Sequence, residues 1–389
     1  MQPTINQRII LRSGLAMVLL LLPAVPAIGL CQQSAPMAPE GLERVVEKVK
    51  ATHAPDSRLD LFQIELHREG NQIIVSGAVT DRSLREVLLD SLGSAAVEFQ
   101  IIDSITVLPS EELQPHVFGI VSVSVANMRR TPSVSAELIN QTLLGTVLKL
   151  YKRDGGYLYV HNRDRYLGWV SSSSLVAVDS LAAAEWQHGP RVIVTANYGV
   201  VRDQAGKSGT ILVDLVPGAV LKKRGPTRKW VQVETPDGRV GYVERSVVVD
   251  EAAYRSRPAS QDQILVTARS YLGIPYLWGG TSTKGFDCSG FVQTVFRMNN
   301  IALPRDANQQ VLEGIPVEPG EQFENLQGAD LLFFGPTAER ITHVGIYLGD
   351  RQFIHSSGSV RINSLDPEHR LYNEYRQSTL RAVKRIQLN

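Results

Sequence analysis

Cys288 has a sequence setting suited to nucleophilic chemistry. It follows a glycine-rich loop and begins a run of apolar residues with helical spacing, Phe291, Val292, Val295 and Phe296. This spacing places the thiol at the N-terminus of a helix. The unpaired N–H groups and the positive end of the helix dipole there favour the thiolate over the thiol. The alternative interpretation is a buried cysteine that only packs in a core.

Two histidines supply the partners that such a nucleophile requires. His343 lies in the strand-like run Thr342–Tyr347, and His355 ends the next run after a turn around Gly349. Adjacent strands joined in this way would place both imidazoles on the same face. One imidazole can then deprotonate Cys288 and later protonate a leaving amine, while the second orients the first.

The elements that must position these residues lie in an α+β segment, residues 262–389. The pattern predicts a helix over Ile264–Leu272 and a second helix that starts at Cys288. Three strands are then predicted, over Leu331–Phe334, Thr342–Gly349 and Gln352–Ser357.

Two stretches upstream of this segment resemble each other. Gly145–Val170 aligns without a gap to Gly218–Val243, and each contains an aromatic residue, a valine and a Gly-aromatic-Val triplet at matching positions. Short alternating strands with turn residues, about 60 residues per unit, predict two small β-barrels. We place them at residues 118–178 and 190–250. Both resemble bacterial SH3-like domains.

Residues 41–108 predict a smaller α/β module. The order is helix, strand, strand, helix, strand, and the second helix begins with an aspartate cap. The pattern resembles the BON-like modules of envelope proteins. No catalytic constellation is found there, so we expect a packing or attachment role.

Residues 1–31 have the features of a secretory signal peptide. Arg8 and Arg12 precede the short apolar run Leu15–Leu22, and small residues follow. Ile28–Cys31 also resembles a lipoprotein signal, although Leu30 stands where such signals have a small residue. We therefore expect export to the bacterial cell envelope. One alternative is lipid attachment at Cys31, and another is an uncleaved membrane anchor. We expect membrane contact only through the signal peptide or a lipid on Cys31.

Composition excludes several classes of protein. The chain has 389 residues, 40 Lys and Arg against 39 Asp and Glu, and 43% hydrophobic residues. A disordered chain and a nucleic-acid-binding protein with a large positive surplus are both excluded. Two cysteines cannot form a disulfide scaffold or a four-cysteine zinc site.

The order of motifs in the last segment resembles the NlpC family of papain-like cell-wall cysteine peptidases. The matching stretches are P-Y-x-W-G-G at 275–280, D-C-S-G-F at 287–291, L-P-R at 303–305, G-A-D-L-L-F-F at 328–334, T-H-V-G-I-Y at 342–347 and F-I-H at 353–355. The resemblance implies that Cys288 is the nucleophile, His343 the general base and His355 the orienting residue. It further implies an oxyanion site at the Cys288 N–H and Tyr276, and neither metal nor cofactor.

A narrower resemblance concerns the substrate. Two SH3-like units before such a domain resemble γ-D-glutamyl-L-diamino acid endopeptidases, in which the first unit closes one end of the groove. The resemblance implies that the substrate-binding residues are Glu137, Tyr166, Trp278, Asp287 and Ser289. Glu137 and Asp287 would supply carboxylates for the free amine of an N-terminal L-alanine.

Two residues in this predicted pocket leave alternatives open. Glu137 has the alternative interpretation of a solvated surface acid. Ala307 stands where relatives often have serine, which removes a hydroxyl from the pocket.

The sequence thus predicts an exported, monomeric, multidomain α+β protein that hydrolyses peptidoglycan stem peptides. Two other interpretations remain. The chain could be a non-catalytic peptidoglycan-binding protein of the envelope, or an amidase or acyltransferase on the same papain-like core.

Overall fold

The computed structural model describes residues 40–226 and 229–388. The predicted signal segment and Cys31 lie outside these ranges. Within the ranges, no helix is both long and apolar enough to cross a bilayer.

The N-terminal module is a three-stranded sheet covered by two helices. Its elements are α1 (Glu40–His53), β1 (Phe62–Glu69), β2 (Gln72–Val79), α2 (Arg82–Ala95) and β3 (Gln100–Val107). β2 pairs antiparallel with β1 and parallel with β3. The Asp81 side chain accepts from the Ser83 N–H and caps α2. Leu84, Leu88 and Leu92 recur every four residues on α2, and all three are buried against the sheet.

Two seven-stranded units follow, and we call them the first and the second unit. The first comprises β4 (Phe118–Val121), β5 (Val125–Arg129), β6 (Leu138–Leu143), β7 (Val147–Asp154), β8 (Tyr157–His161), β9 (Leu167–Ser171) and β10 (Leu175–Val178). After the linking helix α3 (Ser180–His188), the second comprises β11 (Arg191–Val194), β12 (Gly199–Arg202), β13 (Ile211–Leu215), β14 (Val220–Pro226), β15 (Trp230–Glu234), β16 (Val240–Glu244) and β17 (Val248–Asp250).

The two units have the same strand order. It runs β10-β4-β7-β8-β9-β5-β6 in the first unit and β17-β11-β14-β15-β16-β12-β13 in the second. The aligned stretches of sequence therefore occupy equivalent strands, as an internal repeat requires.

The C-terminal domain places helices against a six-stranded antiparallel sheet of order β20-β25-β21-β22-β23-β24. Its elements are α4 (Glu251–Arg255), α5 (Gln261–Ser270), β18 (Thr281–Ser282), β19 (Gly285–Phe286), α6 (Cys288–Arg297), α7 (Ala307–Gln310), β20 (Ile315–Pro316), β21 (Leu331–Phe334), β22 (His343–Gly349), β23 (Gln352–Ser357), β24 (Ser359–Ser364), α8 (Glu374–Thr379) and β25 (Leu380–Arg385).

Helix α6 is the central helix of this domain. Phe291, Val292, Val295 and Phe296 are fully buried in the core that it shares with β22 and β23. Burial of each such side chain contributes about 1.5–3 kcal/mol. Packing of α6 against β22 therefore fixes its first residue, Cys288, near the strand that begins at His343.

Candidate active site

The Asp287-Cys288-Ser289-Gly290 motif holds the thiol at the start of α6. The Asp287 carboxylate accepts from the Gly290 N–H at 2.7 Å and caps the helix. A Cβ atom at Gly290 would lie 2.1 Å from the carbonyl oxygen of Gly280. Glycine at 290 therefore allows the glycine-rich loop to contact the helix directly.

Burial decides the resting state of Cys288. The residue is 9% exposed, and burial raises the pKa of Cys288 to about 11, with the Asp287 carboxylate raising it as well. Hydrogen bonds from the backbone N–H groups of Val344 and Ser289 lower this pKa but do not offset the burial. The expectation that the helix N-terminus makes the thiolate the favoured form is therefore wrong, and the thiol requires a base.

The two predicted histidines are in direct contact. Residues of β22 and β23 pair at Ile346 and Ile354, so His355 lies opposite Gly345 and His343 lies on the same face. A one-residue bulge near the turn does not change this, because it comes after the paired residues. His343 Nε2 lies 2.7 Å from His355 Nδ1, with the two rings nearly perpendicular.

Asn363 extends the histidine pair and fixes its protonation. Its Nδ2 donates to the Leu371 carbonyl at 3.0 Å, so its Oδ1 faces His355 Nε2 at 2.9 Å. Because Oδ1 only accepts, His355 Nε2 carries the proton and Nδ1 accepts from His343 Nε2. The lone pair of His343 is then left on Nδ1, the form of a general base.

The surroundings of the histidines keep both rings neutral. Burial holds the pKa of His343 well below its usual range, and burial lowers the pKa of His355 to about 4. The Arg376 guanidinium, 5.5 Å from the centre of the Phe334 ring, adds a positive charge that lowers both pKa values further. The resting pair is thus a thiol and a neutral imidazole.

The predicted oxyanion donors lie at the same end of α6. Within the described residues, the N–H of Cys288 has no acceptor, as expected for the first residue of a helix. Tyr276 pairs with Phe286, two residues before Cys288. A negative charge on Cys288 raises the pKa of Tyr276, in addition to the larger effect of burial. Tyr276 therefore lies beside the thiol with its proton retained.

Glu137 of the first unit contacts the glycine-rich loop. Its Oε1 accepts from Trp278 Nε1 at 3.0 Å, and its Oε2 accepts from Arg130 Nε at 2.6 Å. The glycine-rich loop approaches the backbone of the first unit at Gly279, where a Cβ atom would lie 2.4 Å from the Leu138 carbonyl oxygen. The φ of Gly279 is +75°, which also favours glycine at this position. Glu137 thus has two hydrogen-bond partners and is still exposed, with 39% of its side chain accessible, so both interpretations of this residue stand.

Asp287 and Ser289 form a buried cluster with Arg305. The Asp287 carboxylate accepts from both terminal nitrogens of Arg305 at 3.1 and 2.5 Å and from the Gly279 N–H at 3.0 Å. Arg305 Nη1 also donates to the Ser289 hydroxyl at 3.0 Å. The Arg305 side chain is 1% exposed. Burial of its charge is compensated by this bidentate pairing.

Tyr166 joins the same network through the next residue, Asp306. Its hydroxyl donates to Asp306 Oδ2 at 3.0 Å, and the residue is buried. Ala307, the first residue of α7, follows Asp306 and is also buried. The structure therefore brings all five predicted substrate residues into one network at the interface of the first unit and the C-terminal domain.

The two carboxylates expected to bind the substrate amine already have partners in this network. Glu137 and Asp287 are not left without a cation in the absence of substrate, since Arg130 and Arg305 pair with them. Counting Asp306, Asp56 and Arg58, which join the same network, four carboxylates face three guanidinium groups. Asn140 also links Arg305 to a further carboxylate, Asp164. Carboxylates therefore outnumber guanidinium groups in this network, which favours a cationic ligand.

Metal-binding side chains are not clustered here. Within residues 40–226 and 229–388, no group of three or more His, Cys, Asp or Glu side chains could hold a metal ion.

Comparison with known families matches three parts of the chain. Residues 273–385 match the NlpC/P60 family, residues 128–175 match the bacterial dipeptidyl-peptidase Sh3 domain, and residues 64–109 match the BON-like domain. A Corynebacterium glutamicum protein named "Probable endopeptidase" is 30% identical over 195 residues, which cover 48% of this chain and 83% of that protein.

The chain belongs to the NlpC/P60 family.

Two further relatives match more of the chain. Dipeptidyl-peptidase 6 of Lysinibacillus sphaericus is 28% identical over 275 residues, which cover 68% of this chain and 98% of that protein. A γ-D-glutamyl-L-lysine dipeptidyl-peptidase of Bacillus cereus is 28% identical over 246 residues, 59% of this chain and 71% of the relative. The family match and the peptidase relatives together identify the chain as a cysteine peptidase of the NlpC/P60 family.

Solved structures agree with this fold. An NlpC/P60 family protein of Bacillus cereus superposes with a TM-score of 0.59 at 22% identity, covering 69% of this chain and 99% of that protein. An NlpC/P60 endopeptidase of Photobacterium damselae superposes with a TM-score of 0.53 at 14% identity, covering 91% of each chain. The predicted multidomain α+β fold, with BON-like, SH3-like and NlpC-type parts, is confirmed.

Sequence reasoning missed several residues of this NlpC/P60 site. Arg305 lies in the L-P-R motif and therefore had a signal, but no role was assigned to it. Asn363 and Arg376 come from β24 and α8 and belong to none of the motifs quoted above. Arg58 comes from the N-terminal module, where only a packing or attachment role was expected.

Proposed function

We propose that this peptidase hydrolyses the γ-D-glutamyl–diamino acid bond of peptidoglycan-derived peptides that carry a free N-terminal L-alanine. The observation that carries the proposal is the position of the Glu137–Trp278 contact. Trp278 precedes Gly279, whose N–H donates to Asp287, and Asp287 precedes Cys288. The first unit therefore limits the substrate groove close to the nucleophile. This favours a peptide that ends there over one that continues past the site.

The chemistry follows from the hydrogen-bonded side chains of His343, His355 and Asn363, and from the position of Cys288 at the start of the helix that packs on β22. His343 Nδ1 takes the proton of Cys288, and the sulfur attacks the γ-carbonyl carbon of the substrate. The Cys288 N–H and Tyr276 hydroxyl donate to the resulting oxyanion; loss of one such donor costs about 3 kcal/mol. The His343 imidazolium then gives its proton to the leaving amine, and the C–N bond breaks to leave a thioester.

The second half of the reaction uses the same groups. His343 takes a proton from water, the hydroxide oxygen attacks the thioester carbon, and the C–S bond breaks. The sulfur leaves as the thiol once it regains a proton from His343, and the product is a free γ-carboxylate. His355, held by Asn363, keeps His343 in the required tautomer throughout.

Substrate recognition is supported by charge and by the relatives. The excess of carboxylates in the network that includes Tyr166 suits the ammonium group of an N-terminal residue. Trp278, which is 62% exposed and donates to Glu137, offers an apolar surface in the same network. The Bacillus cereus relative is named a γ-D-glutamyl-L-lysine dipeptidyl-peptidase. We place the same type of bond in the groove of this chain.

The experiment is mass spectrometry of products from L-Ala-γ-D-Glu-diamino acid peptides, with the amine free or acetylated, using wild type and Cys288→Ala. We expect two hydrolysis products from the free peptide with wild type only. A product joined to an added amine would instead indicate an acyltransferase. No product from any peptide, with the protein folded, would indicate a non-catalytic binding protein.

We also propose export to the cell envelope, supported by the signal-type composition of residues 1–31. N-terminal mass analysis of the protein from cells should find a mature chain that begins between Ile28 and Gln32. Lipid on Cys31 would show as an added acyl mass. A chain that retains Met1 in the cytosol would contradict the proposal.

A further inference from the structure

One loop of the N-terminal module contacts the residues around Tyr166 and Asp306. This loop, residues 54–61, joins α1 to β1, and Arg58 lies at its tip. Arg58 Nη1 donates to Asp306 Oδ2 at 2.6 Å and to Asn308 Oδ1 at 3.0 Å. Asp306 Oδ2 is the same oxygen that accepts from the Tyr166 hydroxyl. Arg58 and Tyr166 therefore share one acceptor.

The loop is held rigidly against both neighbouring domains. Arg58 Nε and Nη2 donate to the two oxygens of Asp56, at 2.8 and 2.6 Å, and Asp56 Oδ2 accepts from Gln309 Nε2 at 2.7 Å. The carbonyl oxygen of Arg58 accepts from the Leu167 N–H at 2.7 Å, one residue after Tyr166. These bonds connect the loop to α7 on one side and to β9 on the other.

Apolar packing supports the same arrangement. Leu61 and Leu108 of the N-terminal module are buried with Leu167 and Trp169 of β9 in one hydrophobic cluster. The module therefore cannot move from the first unit without exposing this cluster. Its position next to Tyr166 is fixed by burial as well as by hydrogen bonds.

We propose that Arg58 is a positioning residue of the substrate groove, which orients the Tyr166 hydroxyl through Asp306. The N-terminal module is then part of the peptidase site, in addition to any attachment role. This inference rests on the proposed function of the groove. Without Arg58, the Asp306 carboxylate keeps Arg305 as its nearest guanidinium group, at 3.9 Å. We expect the carboxylate to turn toward Arg305 and release the Tyr166 hydroxyl.

Positioning and simple charge predict opposite results. Arg58→Met removes a positive charge, which by charge alone would tighten the binding of a cationic peptide and lower KM. Loss of position would instead raise KM for the free-amine peptide, about fivefold to tenfold, with kcat within about twofold of wild type. Arg58→Lys, which keeps a donor for Asp306 but not the paired bonds to Asp56, should recover part of this loss.

A double-mutant cycle tests whether Arg58 acts through Tyr166. If it does, Tyr166→Phe and Arg58→Met should each raise KM, and the double variant should be no worse than the more severe single variant. Arg44→Met is the matched control, since Arg44 is an exposed arginine of α1 in the same module; it should change nothing. Additive effects, or a lower KM in Arg58→Met, would overturn the proposal.

Amide hydrogen exchange tests the inference independently of any substrate. In the full-length protein, Arg58→Met should speed exchange of a peptide covering residues 162–167 by about tenfold, while Arg44→Met leaves it unchanged. Unchanged exchange in Arg58→Met would overturn the positioning role even if the peptide is cleaved. Faster exchange with no cleavage by wild type would retain the positioning role and reject the proposed substrate.

Discussion

The site has a catalytic end and a substrate-binding end, and the two are built in opposite ways. The catalytic end is a line of neutral groups from one domain, Cys288, His343, His355 and Asn363, whose protonation is set by burial. The binding end is a network of paired charges from three domains, which includes Arg58, Glu137 and Asp306. The reacting groups are themselves neutral at rest, with charged residues such as Asp287 and Arg376 only beside them, whereas recognition depends on charges that are present beforehand and paired.

The largest effect should come from the nucleophile itself. Cys288→Ala removes the sulfur that forms the thioester, so turnover should fall by at least about 10⁴-fold. The side chain is small and replaced by a smaller one, so the thermal midpoint should change by only a few degrees. Product formation by liquid chromatography and a parallel melting curve measure both. Activity close to wild type would show that the catalytic end is not at Cys288.

His343→Ala should be nearly as severe and also changes the reactivity of the thiol. With a pKa of about 11, only about one Cys288 in 10⁴ is a thiolate at pH 7 without a base. Alkylation by iodoacetamide at pH 7 should therefore slow at least about tenfold, and its rate should rise with pH up to about 11. The control is His116→Ala, an exposed histidine. Rapid alkylation of His343→Ala at pH 7 would mean that the thiol is already ionised.

Acetylating the substrate amine tests the binding end. Carboxylates outnumber guanidinium groups in the network, so loss of the ammonium should lower kcat/KM by about 10–30-fold, or about 1.4–2 kcal/mol. This is a smaller effect than two unpaired carboxylates would give, because Arg130 and Arg305 already compensate them. Glu137→Gln should reduce the discrimination between the two peptides, while alkylation of Cys288 stays unchanged. Equal rates on both peptides with wild type would exclude an ammonium site.

The smallest effect should come from the far end of the catalytic line. Asn363→Ala removes the acceptor that selects the His355 tautomer, and water can partly replace it, so kcat should fall only about tenfold with KM unchanged. Asn363→Asp keeps an acceptor and adds a negative charge, which raises the pKa of His355 from about 4. In the profile of kcat against pH, the acid limb of the Asn363→Asp variant should lie at higher pH than that of wild type. An unchanged limb would mean that His355 does not tune His343.

The wild-type pH profile follows from the same shifts. Because the pKa of His343 lies well below 6.5, the neutral base is present throughout the neutral range. Activity should therefore be lost only on acidification below this usual histidine range. An acid limb of the wild-type profile at pH 6.5 or above would show that the buried His343–His355 pair is charged in the working enzyme.

Local rules in the sequence were enough to bring Cys288, His343 and His355 together. The glycine-rich loop and the helical spacing after it place Cys288 at the first position of α6, and the two-residue period of strands places His343 and His355 on one face. Both are short-range properties of the backbone, and a motif set that spans residues 275–355 identified the family. Asn363 could not be found this way, because its role depends on the pairing of β24 with β23.

The tertiary structure decided the charge state of the thiol and the construction of the binding end. Helix position alone predicts a thiolate at Cys288, but burial outweighs the helix terminus once the sheet covers the site. Partners such as Arg58 and Asp306 are 248 residues apart in sequence and come from domains that look unrelated in composition and pattern. Periodicity and capping describe neighbours along the chain, whereas desolvation and ion pairing depend on which surfaces the domains bury together, and only the folded arrangement sets those.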